Sequence, residues 1–288
     1  MEQKLELRKS RDFGQLINDT FLFVRENLKP LLKVYFSICG FLLVAMTVVA
    51  VMQQNRLAGI LTEESLRRDP FQFYGWEMVL SWVLVFIFYV LLCITTFSYM
   101  GLYKDKGNEA PTPQEVWEQV RYYFWRVSGA QLVLGLLVGI GMMFCVLPGL
   151  YLWPVVTLML AIMVIENGSL TYSFDRGFRL ISGHWWATFG AMFILSVVSY
   201  AVMMLFVMPF GIATGAGLLL GNLKLSLPML IAATVVQYLS QILLVIVLIT
   251  AGLAYFSFVE EKEGTSLSDR INSIGKGDDA ADLPEEQY

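Results

Sequence analysis

One charged constellation stands at the edge of a long apolar run: Glu166 with Arg176 and Arg179. Such a set has two uses at a membrane edge. The arginines can pair with Glu166 and clamp one helix to another, or they can contact lipid phosphates. The plainer alternative is a solvated carboxylate at a helix end, whose ion pair stabilises little. Beside them lies the only histidine, His184, followed by Trp185 and Trp186. A single histidine excludes a histidine-rich metal centre. No second base stands where it would complete a Ser/His/Asp set. His184, Trp185 and Trp186 therefore read as interfacial groups that meet structure or lipid. No residue qualifies as catalytic, cofactor-binding or metal-ligating, and the chain reads as no enzyme.

Neutral polar residues offer the other candidate site. Thr234, Gln237 and Gln241 follow one stripe of a helix, and Gln131 stands in another apolar run. Hydrogen bonding between helices is the plain reading, at about 0.6 kcal/mol per contact in membrane proteins. A polar cavity lined by these four is the sharper one. Cys39, Cys93 and Cys145 are far apart in apolar runs and form no CxxC pair, so they read as small buried hydrophobes. Gly135 and Gly139 form a small-xxx-small pair suited to close helix packing. Gly211, Gly215, Gly217 and Gly221 have the density of a phosphate loop but lack its lysine. Asn167-Gly168-Ser169 fits a glycosylation acceptor but falls in a segment expected to be cytoplasmic.

The elements that position these residues follow from composition. Of 288 residues, 57% are hydrophobic and 15% charged, well below the roughly 25% charged residues of soluble domains. The net charge of −4 speaks against a nucleic-acid partner. Apolar runs at 34–52, 78–100, 127–147, 150–165, 186–208 and 227–259 give six spans of about the 20 residues a membrane helix needs. No ionisable residue sits at mid-depth in any of them, which argues against proton-coupled pumps and ion carriers. Sixteen of the twenty lysines and arginines fall on the N-terminal side of this topology. The outer side holds Arg56, Arg67, Arg68 and Lys224, with an aromatic belt at Phe71, Phe73, Tyr74 and Trp76. Both termini are thus expected in the cytoplasm.

Three polar segments precede spans. Residues 13–27 repeat Phe13, Leu16, Ile17, Phe21 and Val24 on one face, leaving Asp19, Arg25, Glu26 and Lys29 for the wet side. Pro30 is expected to bend the chain into the first span, and residues 1–12 to fray. Thr112-Pro113-Gln114-Glu115 has the form of a helix start, and Val116, Val120, Tyr123 and Val127 continue on one face. Leu170, Phe174, Phe178 and Ile181 share a face in the third segment. The pattern suggests three units, each an interfacial helix followed by two spans. Pro148-Gly149 is expected to make the turn between spans 3 and 4, and residues 209–226 a glycine-rich loop. The chain divides into an N-terminal amphipathic helix at 1–29, a six-span domain at 30–260 and an acidic, disordered tail at 261–288. The fold class is all-α and polytopic.

Leu147-Pro148-Gly149-Leu150-Tyr151-Leu152, then Ile165-Glu166-Asn167-Gly168, then Ser173, Arg176, Arg179, Leu180, Gly183 and Trp186 at their spacing resemble a bacterial family. It is the integral membrane domain associated with glycerophosphoryl diester phosphodiesterases. Phe13-Gly14-Gln15-Leu16 fits the same pattern, and Phe258-Val259-Glu260-Glu261-Lys262-Glu263-Gly264 resembles stand-alone members from the Bacteroidetes group. In family members that are enzymes, catalysis belongs to a separate soluble barrel rich in histidine and acidic residues. One histidine does not furnish it, so the resemblance implies the membrane module alone. The expected role is that of a structural or accessory module of the inner membrane, working through lipids and a protein partner or second copy, with no cofactor. The competing expectation is a transporter or lipid-handling protein with the cavity named above.

Overall fold

The computed structural model describes residues 5–60, 75–144, 146–219 and 227–264. All regular structure among them is helical, and six helical stretches are long and apolar enough to cross a membrane. In chain order the helices are α1 Phe13–Ile60, α2 Trp76–Asp105, α3 Pro113–Phe144, α4 Val146–Ile165, α5 Leu170–Ile181, α6 Trp185–Leu219, α7 Leu227–Ser240 and α8 Val245–Glu263. A four-residue 3-10 turn, Gln241–Leu244, joins the last two.

Helix α8 is the hub. Every residue from 247 to 258 is buried, the mark of a helix surrounded on all sides. It packs against α1, α2, α4, α5 and α6. Helices α1 and α2 pair antiparallel, with Phe23 against Tyr103, Tyr35 hydrogen-bonded to Thr96 at 2.6 Å, and Arg56 to Glu77 at 2.6 Å. Some polar groups in this apolar interior are joined to each other or to their own helix, whereas the Thr95 and Ser98 hydroxyls on α2 have no partner among the described residues. Tyr99 donates to Asn27 Oδ1 at 3.0 Å, and Asn27 returns its amide to the Phe23 carbonyl at 3.1 Å.

The proline and glycine positions depart from the sequence reading. Helix α1 runs straight through Pro30. The ring removes one backbone bond, but Asn27, Leu31 and Val34 are buried on either side and packing carries the helix across. The 29/30 boundary therefore falls inside a helix. Pro148 and Gly149 lie in the first turn of α4, where the missing N–H has no helical partner to lose. Instead of marking a turn, Gly149 in α4 lies against Gly141 in α3, its N 3.2 Å from where a Cβ on Gly141 would stand. Helix α6 continues through Pro209 to Leu219, so residues 209–219 of the expected loop are helical, and 220–226 lie outside the described residues.

The last apolar run is not one regular helix. It tightens into the 3-10 turn, and Ser199 of α6 donates to the Leu243 carbonyl at 3.3 Å, satisfying a group the irregularity frees. Gly135 and Gly139 meet nothing: no atom lies within 4 Å of where their Cβ would stand. They face outward from α3 and pack against no helix among the described residues. The described part of the N-terminal stretch is packed rather than frayed, with Leu5 and Leu7 buried, and Asp19 is buried as well. The aromatic residues Phe71, Phe73 and Tyr74, Arg67, Arg68, Lys224, Cys145, Gly221 and residues 265–288 of the acidic tail lie outside the described residues, whereas the expected tail's first residues, Glu261, Lys262 and Glu263, end α8 in helix.

Candidate functional site

The third polar segment differs from the other two. The first two interfacial stretches are continuous with the spans that follow them, in α1 and α3. Helix α5 stands alone, bounded by left-handed residues: Asn167 at φ +53° before it and Gly183 at φ +91° after it. Asparagine tolerates that region through local hydrogen bonding and glycine enters it freely. Ser169 caps α5, its Oγ accepting the Tyr172 N–H at 3.2 Å. Arg126 of α3 secures the turn before it, donating to Asn167 Oδ1 at 2.7 Å, to the Asn167 carbonyl at 3.0 Å and to the Gly168 carbonyl.

From that turn α5 folds back along α4. Gly177 lies on Met159, and a Cβ there would stand 2.9 Å from Met159 Cγ. The path then brings Trp185 to the first half of α4. Its Nε1–H donates to the Tyr151 carbonyl at 3.1 Å, and its ring stacks on Tyr151 and Phe189.

Glu166 and Arg176 are the centre of the arrangement. Arg176 Nε lies 2.6–2.7 Å from the two Glu166 oxygens. Tyr172 and Tyr255 donate their hydroxyls to Glu166 at 2.9 and 2.7 Å. The rest of the guanidinium reaches Glu263, at 2.8 and 3.3 Å. Burial works against the Arg176 charge, but its bonds to Glu263 and Glu166 outweigh it and hold the guanidinium above its ordinary range. Burial, and then the bond to Glu166, raise the Tyr172 hydroxyl.

The end of α8 supplies two more ties. Lys262 Nζ donates to the Arg179 and Ser182 carbonyls at 2.6 and 3.0 Å, closing the orphan carbonyls at the end of α5 with a cation where the helix dipole favours one. Glu261 faces His184 Nε2 at 3.2 Å, and the imidazole stacks on Phe258. Three successive residues, Glu261, Lys262 and Glu263, thus hold the start of α6, the end of α5 and the middle of α5. The N-terminal strap is tied to the same helix: the Arg11 N–H donates to Ser257 Oγ at 2.8 Å. The Arg11 guanidinium is wholly buried on Asp19 at 2.8 Å and on the carbonyls of Leu7, Lys9 and Glu6. That burial lowers its pKa despite Asp19.

Among the sequence candidates, then, Glu166 and Arg176 meet, while the Arg179 side chain is exposed and only its carbonyl joins the clasp. Trp185 is packed and Trp186 is 78% exposed. The four polar residues are not gathered into one lining. Gln131 is buried on α3, which packs on α1, α2 and α4, and its Oε1 has no partner among the described residues. Thr234 is buried and donates back to the Leu230 and Ile231 carbonyls. Gln237 is exposed, and Gln241 opens the 3-10 turn.

Sequence reasoning missed Glu261, Lys262 and Glu263 as partners, along with Arg126 and Tyr255. Alternating charges closing an apolar run were the available signal, since a helix end so placed must meet whatever polar segment lies beside it. Among the described residues no three His, Cys, Asp or Glu groups are placed to hold a metal. No family model, characterised protein or solved structure matches the chain.

Proposed function

We propose that this protein is a multi-pass accessory module of a bacterial inner membrane, with both termini in the cytoplasm. It acts through lipid contacts and a protein partner or second copy, without chemistry of its own. The observation that carries this reading is the use made of the charges around Glu166. Arg176, Glu263, Lys262 and Tyr255 are all engaged in fixing α5. What α5 turns outward includes Tyr172, Phe174 and Arg179, along with Thr171 and Asp175, with Trp186 following. Aromatic rings with a basic residue suit the boundary between headgroups and acyl chains. Exposed Trp117, Tyr122 and Trp125 on α3 repeat that chemistry. The excess of Lys and Arg on the N-terminal side supports the orientation.

A lipid-handling role finds its footing in one feature. An almost wholly apolar groove of about 350 Å³ runs between α1 and α7, lined by Phe36, Gly40, Val44, Val235, Tyr238 and Leu239. The two readings separate in reconstituted vesicles carrying fluorescent lipids, with transbilayer movement followed by dithionite quenching. An accessory module leaves the rate at that of protein-free vesicles. Accelerated movement that disappears in Gly40→Leu, which puts a side chain into that groove, would replace it with the lipid-handling role.

A further inference from the structure

We propose that the groove between α1 and α7 holds one acyl chain of an anionic glycerophospholipid, whose phosphate meets a basic stripe leading into it. The inference rests on the reading of this chain as a membrane module that acts through lipid contacts, and it adds the class of lipid and its place. The stripe is written in α1. Arg25, Lys29 and Lys33 recur every four residues and all three are exposed. That spacing puts them on one face of the helix. Phe36, Gly40 and Val44 follow at three- and four-residue steps on the same face, and they form one wall of the groove. Cations therefore give way to an apolar surface along a single helix face. None of the three is paired with a carboxylate among the described residues. Glu26, on the flank of the stripe, accepts the Leu5 N–H at 3.3 Å and bonds none of them. The charges around Glu166 answer one another; these three leave an anion to be supplied from outside.

The groove fits the other half of such a molecule. Its lining is almost wholly apolar, and no atom lies within 4 Å of where a Cβ on Gly40 would stand. Phe36 and Val44 are exposed at its rim, so it opens sideways, where lipid chains lie. From Phe36 to Val48 the helix rises about 18 Å, a little over half of the roughly 30 Å hydrocarbon core. That is the depth one acyl chain reaches from its own headgroup. A volume of about 350 Å³ suits a single flexible chain better than a helix, which is about 10 Å across. An anion beside the cations and a chain along the groove are joined in one molecule by an anionic phospholipid.

The full chain in dodecyl maltoside is titrated by native mass spectrometry with dimyristoyl phosphatidylglycerol, dimyristoyl phosphatidylcholine and dihexanoyl phosphatidylglycerol. The long-chain glycerol lipid should give a saturable first adduct about tenfold tighter than either of the other two. Lys29→Gln/Lys33→Gln removes two exposed charges, each worth about fivefold beside an anionic headgroup, and should erase the preference for glycerol over choline. Gly40→Leu fills the groove and should weaken the long-chain adduct about tenfold while leaving the dihexanoyl one unchanged. Both variants alter exposed or open positions and should keep the natural unfolding midpoint. Equal affinity for the two myristoyl lipids, a preference that survives the lysine substitutions, or a long-chain adduct unchanged in Gly40→Leu would overturn the proposal. So would a dimer that forms in place of the adduct and is lost in Gly40→Leu, which would give the groove to a second copy. Binding is read here at equilibrium and lipid movement in the vesicle assay as a rate. A bound lipid without accelerated movement upholds both readings, and failure of this site leaves the accessory module its contacts at α5.

Discussion

Two regions of this bundle are held in different ways. At the end of α8, ionic groups from α1, α5, α6 and the N-terminal strap converge, with Arg11 and Arg176 almost removed from solvent. At the opposite end of the α1–α2 pair, the ion pair among the described residues is Arg56 with Glu77, and Arg56 is 38% exposed there. Beyond it, α6 turns Met204, Leu205 and Phe206 outward. The difference reflects what each region must hold. Long apolar helices need little beyond their own backbone bonds in a membrane. A 12-residue helix such as α5 is marginal by itself in water, so its position depends on the neighbours that grip it.

Substitutions at the two ends should therefore differ in cost. The largest effect is expected from Arg11→Met, which strands the buried Asp19 carboxylate and should destabilise the protein by about 3–5 kcal/mol, read as a lowered unfolding midpoint in detergent. Arg176→Met leaves Glu166 and Glu263 without their shared cation in a partly wet site. A loss of about 2–3 kcal/mol follows, and Arg176→Lys should recover only part of it because one ammonium cannot reproduce the fork. Arg56→Met at the far end should cost under about 1 kcal/mol. A loss equal to that of Arg176→Met would erase the contrast between the ends.

The smallest effect concerns Glu115, which belongs to neither cluster. The bond from Lys106, helped by the Thr112 N–H, holds its carboxyl down at about 2. The folded state thus prefers the ionised form. That contribution is complete above the ordinary carboxylate range and is lost as pH falls through about 2. The gap in unfolding midpoint between the natural chain and Glu115→Gln should shrink from pH 5 to pH 2; a constant gap would show that the carboxylate charge is immaterial.

The six apolar stretches and the α3 start were legible because length, hydropathy and capping are local properties. Thr112 and Glu115 form the expected reciprocal cap, at 2.7 Å from the Thr112 N–H to Glu115 Oε2. The proline signals misled for a physical reason. Pro30 and Pro209 sit in helices whose flanking residues pack or are long and apolar, and that context outweighs one missing bond. For the candidate site, adjacency in sequence revealed Glu166 and Arg176 but not Glu263, which lies far along the chain. Only the packing of α8 against α4 and α5 brings it to the guanidinium. The outward face of Gly135 and Gly139 shows the converse: a motif of small residues says that something can approach, not that anything in the same chain does.

The claim that α5 is held in place by the end of α8 is tested most directly by hydrogen–deuterium exchange of the chain in lipid nanodiscs. Amides of residues 173–181 should exchange slowly in the natural protein. They should lose protection by at least about tenfold in Arg176→Met, as local opening becomes cheaper by about 1.4 kcal/mol or more, and remain slow in Arg56→Met. Fast exchange of this helix in the natural chain, or protection unchanged by Arg176→Met, would contradict the account.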